Sequence, residues 1–166
     1  QDFTVAMSDG REILFVDTPS LTIDTLGGKD DVTVITPAPN QAEWDVDITL
    51  TGGTGADSLL LLTPGSKPET VAYTPMASDQ GVIKITQGSV ATQSQITLGS
   101  SSASPGGTES FIYDGGADND TFTVIGNGTV GGTPDVFTRT LGEVADEGSI
   151  RLNSLLPVDY QGLGTS

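Results

Sequence analysis

A glycine-aspartate turn recurs in this chain, each time in front of a short apolar strand. It reads GGTGADSLL from Gly52 to Leu60 and GGADNDTFTV from Gly115 to Val124. A third copy, TLGGKDDVTV, runs from Thr25 to Val34, and the three align when Asp30, Asp57 and Asp120 are placed in register. After each aspartate the apolar residues fall at every second position: Val32 and Val34, Leu59 and Leu61, Phe122 and Val124. That alternation is the period of a strand with one buried face, and its return behind the same turn marks a repeat architecture.

The rest of the chain agrees with an all-β class. Twenty-two glycines and nine prolines interrupt every candidate helix, and no segment keeps i, i+3, i+4, i+7 apolar spacing for more than a turn. Short β-branched runs are expected as strands, among them Phe3 to Val5, Val46 to Leu50, Val82 to Ile85, Gln95 to Leu98 and Val158 to Tyr160. A second element also repeats: Tyr73 to Ile85 resembles Thr140 to Leu152, with Asp79-Gln80-Gly81 matching Asp146-Glu147-Gly148 and Lys84 matching Arg151. Each reads as strand, acidic turn, strand, and Ser8 to Val16 is a shorter version.

Spacing then suggests how the repeats stack. Asp30 and Asp57 lie 27 residues apart, and Asp120 follows more than twice as far on. A degenerate coil without the turn signature is therefore expected within 81–113, beside the low-complexity run SSSASPGG from Ser100 to Gly107. The expected fold is a parallel β-solenoid of about four irregular coils in one domain, divided near 1–30, 31–57, 58–120 and 121–166. A two-sheet β-sandwich is the alternative.

Composition removes several function classes. Twenty-two acidic residues stand against six basic ones, a net charge of −16. Such a surface repels nucleic acid and anionic lipid. No apolar run exceeds the length of Leu59 to Leu62, far short of the roughly 20 residues that cross a bilayer, so membrane insertion is not expected. Cysteine and histidine are absent, which removes the usual ligands of zinc, copper and non-haem iron and leaves oxygen ligands suited to calcium or magnesium.

The same absence argues against an enzyme, because a serine or tyrosine nucleophile would lack its ordinary base. Asp30 and Asp31 are adjacent on a strand and point to opposite faces, a poor acid–base pair. Trp44, Tyr73, Tyr113 and Tyr160 read either as a sugar-stacking platform or as core and interface residues. Low lysine, no cysteine and an opening at Gln1 suggest a processed, secreted or cell-surface protein.

GGTGADSLL matches the nonapeptide G-G-x-G-x-D-x-U-x, where U is bulky and apolar, and so resembles the calcium-binding repeats of RTX (repeats-in-toxin) proteins. The resemblance implies a β-roll in which Asp57 is a calcium ligand, Leu59 fills the core, and Gly52, Gly53 and Gly55 shape the loop. Carried to the other copies, it implies Asp30 and Asp120 as turn carboxylates, with Asp118 and Asp114 assisting at the last site. The copies depart from the family's pattern: Thr25-Leu26 replace one glycine pair, and the nonapeptide occurs once per coil rather than in tandem. Stacked ~4.8 Å apart, like charges would repel by ~3–4 kcal/mol at an effective dielectric of 20. Either cations offset that repulsion, or each aspartate hydrogen-bonds a turn.

Finally, GLGTS from Gly162 to Ser166 followed by QDFTV from Gln1 to Val5 reproduces GGADN-DTFTV in register. The expected assembly interface is therefore Gln1, Asp2, Phe3 and Val5 of one copy against Gly162, Gly164 and Ser166 of another. The expected function is an extracellular structural unit stacking head to tail in a filament, sheath, surface layer or large adhesin. The alternative is a carbohydrate-binding module, with glycans as partners.

Overall fold

A computed structural model describes residues 2–36, 45–64, 67–87, 93–99, 106–117, 119–128 and 133–164. Trp44, Asp118, Gln1 and Ser166 lie outside them. The described chain is all-β, without a helix.

Two six-stranded sheets hold most of the strands. The N-terminal third supplies β1 (Phe3–Ala6), β2 (Glu12–Phe15), β3 (Ser20–Asp24), the two-residue β4 (Gly27–Gly28) and β5 (Asp31–Ile35). Next come β6 (Asp47–Thr51), the two-residue β7 (Thr54–Gly55), β8 (Ser58–Leu62), β9 (Glu69–Pro75), β10 (Gly81–Gln87) and β11 (Gln93–Gly99). The last third holds β12 (Ser110–Asp114), β13 (Thr121–Val124), β14 (Phe137–Leu141), β15 (Gly148–Leu152) and β16 (Val158–Gln161). The first sheet runs β13-β9-β10-β11-β6-β3 and the second β14-β15-β16-β12-β8-β5, while β1-β2 and β4-β7 form small sheets of their own.

Parallel pairing builds one half of this arrangement in tiers. β3 lies on β6 with Leu21 against Ile48, and β5 lies on β8 with Asp31 against Ser58. The bridge β4–β7 joins the connecting turns in the same 27-residue offset, Gly27 opposite Thr54. A third tier, β11 and β12, continues both stacks, with Ile96 on Ile48 and Phe111 on Leu59. β11 lies within 81–113 and β12 runs one residue past it.

Antiparallel hairpins build the other half. β9–β10 turn over Asp79 and β14–β15 over Asp146, the two segments whose sequences match. β1–β2 is the shorter third hairpin, with Val5 opposite Ile13. Mixed pairing follows from this: a strand that returns through a tight acidic turn can only pair antiparallel. β9, β10 and β11 thus fold back and forth in the first sheet, and β14, β15 and β16 do so in the second.

Alternation places one face of each central strand in the core. Leu59, Leu61, Val71, Tyr73, Ile83, Ile85 and Ile96 are fully buried, with their strand neighbours at least partly exposed. Each such side chain contributes about 1.5–3 kcal/mol of burial. Aromatic rings join the sheets: Tyr73 meets Phe111 edge-on at 5.0 Å, and Phe122 stacks on Tyr113 at 5.0 Å and reaches Tyr160 at 6.2 Å.

Candidate cation-binding turns and the open end of the sheets

The expected turn carboxylates divide between two edges of the structure. Turns leading from the first sheet to the second carry Asp30 and Asp57; the turn carrying Asp120 leads from the second sheet to the first. Asp120 is therefore not the third member of the Asp30–Asp57 row. Glu109 is. The Asp30 N–H donates to Asp57 Oδ1 at 3.0 Å, and the Asp57 N–H donates to Glu109 Oε2 at 2.8 Å. Each carboxylate thus caps the backbone of the tier beside it. The backbone answers in the other direction, with the Ser58 N–H on the Asp30 carbonyl and the Glu109 and Ser110 N–H groups on the Asp57 carbonyl.

A sequence signal for Glu109 exists in Gly107-Thr108-Glu109-Ser110-Phe111, which parallels Gly55-Ala56-Asp57-Ser58-Leu59 once aspartate and glutamate are treated alike. The longer side chain spans the same gap from a differently shaped turn.

Glycine is needed here because the tiers approach backbone to backbone. A Cβ on Gly53 would lie 1.7 Å from the Leu26 carbonyl oxygen, and one on Gly55 would lie 1.5 Å from that of Gly28. In the first tier Leu26 adopts φ +68° with its side chain 73 % exposed. No described tier lies on that side, so a side chain is tolerated where the next tier requires glycine.

The five expected metal ligands differ in what their oxygens already do. Asp114 is engaged at both: Oδ1 accepts from the Gly116 N–H at 3.0 Å and Oδ2 from Gln161 Nε2 at 2.8 Å. Asp120 Oδ1 accepts from the buried Glu69 N–H at 2.8 Å, and Oδ2 lies 3.5 Å from Thr63 Oγ1. Asp118 lies outside the described residues. Asp57 is 3 % exposed, and its Oδ2, like Oδ2 of Asp30, is buried without a hydrogen-bond partner. The donor chemistry of that pair, carboxylate oxygens among turn carbonyls, suits calcium. Among the described residues no group of three or more acidic side chains converges on one point, so a cation there would need carbonyl or water oxygens to complete its shell.

Tyr73 and Tyr113 are fully buried and Tyr160 is 5 % exposed, so the tyrosines are core residues rather than a solvent-facing platform. The Tyr73 hydroxyl donates to the Leu156 carbonyl at 3.1 Å, and that of Tyr113 pairs with Thr63 Oγ1 at 3.1 Å. Burial pushes both phenols well above their ordinary 10.0; at Tyr113 the nearby Asp120 and Glu69 carboxylates add to the rise, while the Thr63 hydrogen bond opposes it.

Of the residues expected to form an assembly interface, Phe3 and Val5 lie in β1, while Gly162 and Gly164 lie in the segment after β16. Phe3 is 8 % exposed and stacks on Phe15 at 4.9 Å within the β1–β2 hairpin, where Val5 is half-buried against the core. Asp2 Oδ1 accepts from the Asp17 N–H at 3.2 Å. Gly162 and Gly164, both at positive φ, follow β16. Gly164 borders a cavity of about 590 Å³ between β13 and the β14–β16 meander, lined also by Phe122, Arg139, Ile150, Tyr160 and Leu163. Arg139 Nε donates to the Tyr160 hydroxyl at 2.9 Å across this cavity wall.

Among the described residues no further strand pairs with that end of either sheet, and the exposed surface there mixes apolar with charged side chains, Arg139 and Asp146 among them. β13 and β14 are edge strands, every residue of β14 is exposed, and Val136, Phe137, Leu141 and Val144 are each at least half exposed. At the opposite end Leu26 and Ile35 are exposed beside the β3 and β5 edges. No family model, curated protein or solved structure matches this chain.

Proposed function

We propose that this chain is an extracellular structural unit that stacks end to end, its tiers forming a parallel β-solenoid interrupted by antiparallel hairpins. The observation that carries the reading is the pair of sheet ends whose edge strands have no further strand partner among the described residues. Unpaired edges flanked by exposed leucine, valine and phenylalanine are what a monomer covers with a helix, a bulge or charge, and what an assembling unit presents to its neighbour. A contact between two different ends does not close on itself and grows a filament.

Calcium belongs to this reading at the Asp30–Asp57 pair, where the two orphaned oxygens support it, with the remaining ligands drawn from turn carbonyls and water. At Asp114 and Asp120 the hydrogen bonds already made support plain turn chemistry instead. Light scattering and electron microscopy of the purified chain, with calcium and with a chelator, test both parts. End-to-end oligomers of rising length are expected as concentration rises, and a strictly monomeric chain at every salt and calcium level would overturn the stacking reading. A melting temperature that falls by several degrees on chelation is the expected sign of calcium; an unchanged one removes the ion and leaves the stacking intact.

A further inference from the structure

We propose that Asn127 is a site of spontaneous deamidation. Its side-chain amide is converted, through a cyclic imide closed onto Gly128, into an aspartyl or isoaspartyl residue. The change adds one negative charge to a chain already at −16. It needs no partner and no enzyme, and it stands whether or not copies of the chain stack.

Of Asn40, Asn119, Asn127 and Asn153, only Asn127 precedes a glycine. Glycine matters because the nitrogen that attacks the asparagine amide belongs to the following residue, where a side chain would crowd the approach. Position 128 has the room: Gly128 is exposed at φ +75°, and a Cβ built on it would meet no atom within 4 Å. The chain before it is tied down as far as Ile125, whose N–H donates to the Tyr73 carbonyl at 2.8 Å. Gly126, Asn127 and Gly128 then lie outside any strand or turn. Among the described residues neither the Asn127 amide nor the Gly128 N–H makes a hydrogen bond.

Other positions with related chemistry are held in place. Asp9-Gly10 and Asp114-Gly115 could close the same ring. Asp9 is pinned by Arg11, with Oδ1 accepting from its backbone N–H at 3.1 Å and Oδ2 from its Nε at 2.6 Å. Asp114 is pinned by the Gly116 N–H and Gln161 Nε2. Asn153 Oδ1 accepts from the Val136 N–H at 3.1 Å, and Ser154 follows it. The fold restrains each of these side chains and leaves Asn127 unrestrained.

The reaction consumes only water. The Gly128 nitrogen attacks Asn127 Cγ and forms a C–N bond, an approach made favourable because both groups belong to adjacent residues. The Cγ–Nδ2 bond breaks, and Nδ2 leaves as ammonia with the proton that Gly128 gives up. Water then opens the imide. Attack at Cγ restores the normal main chain with an aspartyl side chain; attack at the α-carbonyl routes the main chain through Cγ as isoaspartyl. Neither product returns to the amide, so the converted fraction grows with the age of the protein.

The test is to incubate the purified chain in warm, mildly alkaline buffer for weeks. Ion exchange then follows an acidic isoform, and electron-transfer mass spectrometry of its peptides locates isoaspartate. Conversion at Asn127 is expected to run at least about tenfold faster than at Asn119 or Asn153. Its rate should fall within a few-fold of that in a free peptide covering residues 124–130, and should rise with pH because attack requires the Gly128 nitrogen deprotonated. Asn127→Gln, whose longer side chain closes a ring far more slowly, should lose the acidic isoform. A rate at Asn127 no faster than at Asn153 would overturn the proposal. So would protection of about tenfold or more relative to the peptide, which would mean that the fold restrains the amide after all. An acidic isoform that persists in Asn127→Gln would place the reaction elsewhere and overturn it equally.

Discussion

At the scale of single residues, the Asp57 carboxylate sets two effects against each other. Its Oδ1 satisfies the Asp30 N–H, a charge-assisted bond contributing roughly 1.5–3 kcal/mol, while a like charge one strand spacing (~4.8 Å) away in the row would repel it by ~3–4 kcal/mol if no cation intervenes. Asp57→Asn keeps the acceptor and removes the charge. Without a bound ion this variant is expected to melt higher than the parent; with one, it should melt lower and lose its response to calcium. Thermal melts of both proteins with and without chelator separate the cases. Gly53→Ala forces a methyl group against the Leu26 carbonyl at a residue held at φ +85°, and a loss of about 3 kcal/mol or more is expected in denaturant unfolding. Leu26→Gly, at the matching position of the uncovered tier, should instead stabilise by about 1 kcal/mol, since it relieves a left-handed leucine without removing a packed side chain.

At the scale of strands, β9 and β12 each bring one buried tyrosine to the centre of the core, and both phenols are held above the ordinary value of 10.0 by burial. The folded state therefore keeps protons that the unfolded state releases. Stability from this source is whole below about pH 10 and declines as pH rises beyond it. Urea midpoints measured across the alkaline range should fall for the parent and fall less steeply for Tyr73→Phe combined with Tyr113→Phe. An equal slope in both proteins would show that the tyrosines do not govern alkaline unfolding.

At the scale of the whole molecule, the net charge of −16 opposes contact between copies. Association through the sheet ends is expected to strengthen as salt rises, by several-fold between low and physiological ionic strength, because screening shortens the reach of the repulsion to about 8–10 Å. Sedimentation at graded sodium chloride concentrations measures this. A stronger effect from calcium than from sodium at matched ionic strength would locate part of the response at the Asp30–Asp57 turns, and Asp57→Asn should cancel that excess.

Much of the element level was legible in the residues. Alternation in Val32 to Ile35 and Val82 to Ile85, and the unbroken apolar run Leu59 to Leu62, were enough to place β5, β10 and β8, and the paired Asp79 and Asp146 turns marked the hairpins, because strand patterning and tight-turn chemistry are local properties. The 27-residue step from Asp30 to Asp57 likewise survived as the register of β5 on β8. What locality could not provide was the edge on which each turn lies. Between Asp57 and Asp120 the chain crosses from one sheet to the other after β8 and again after β11, with three strands folded back and forth in between. Apolar alternation specifies which face of a strand turns inward but not which sheet it joins, so a copy identical in motif came to rest at the far edge. Only the packing of β9, β10 and β11 against the second sheet decided that Glu109, rather than Asp120, completes the row.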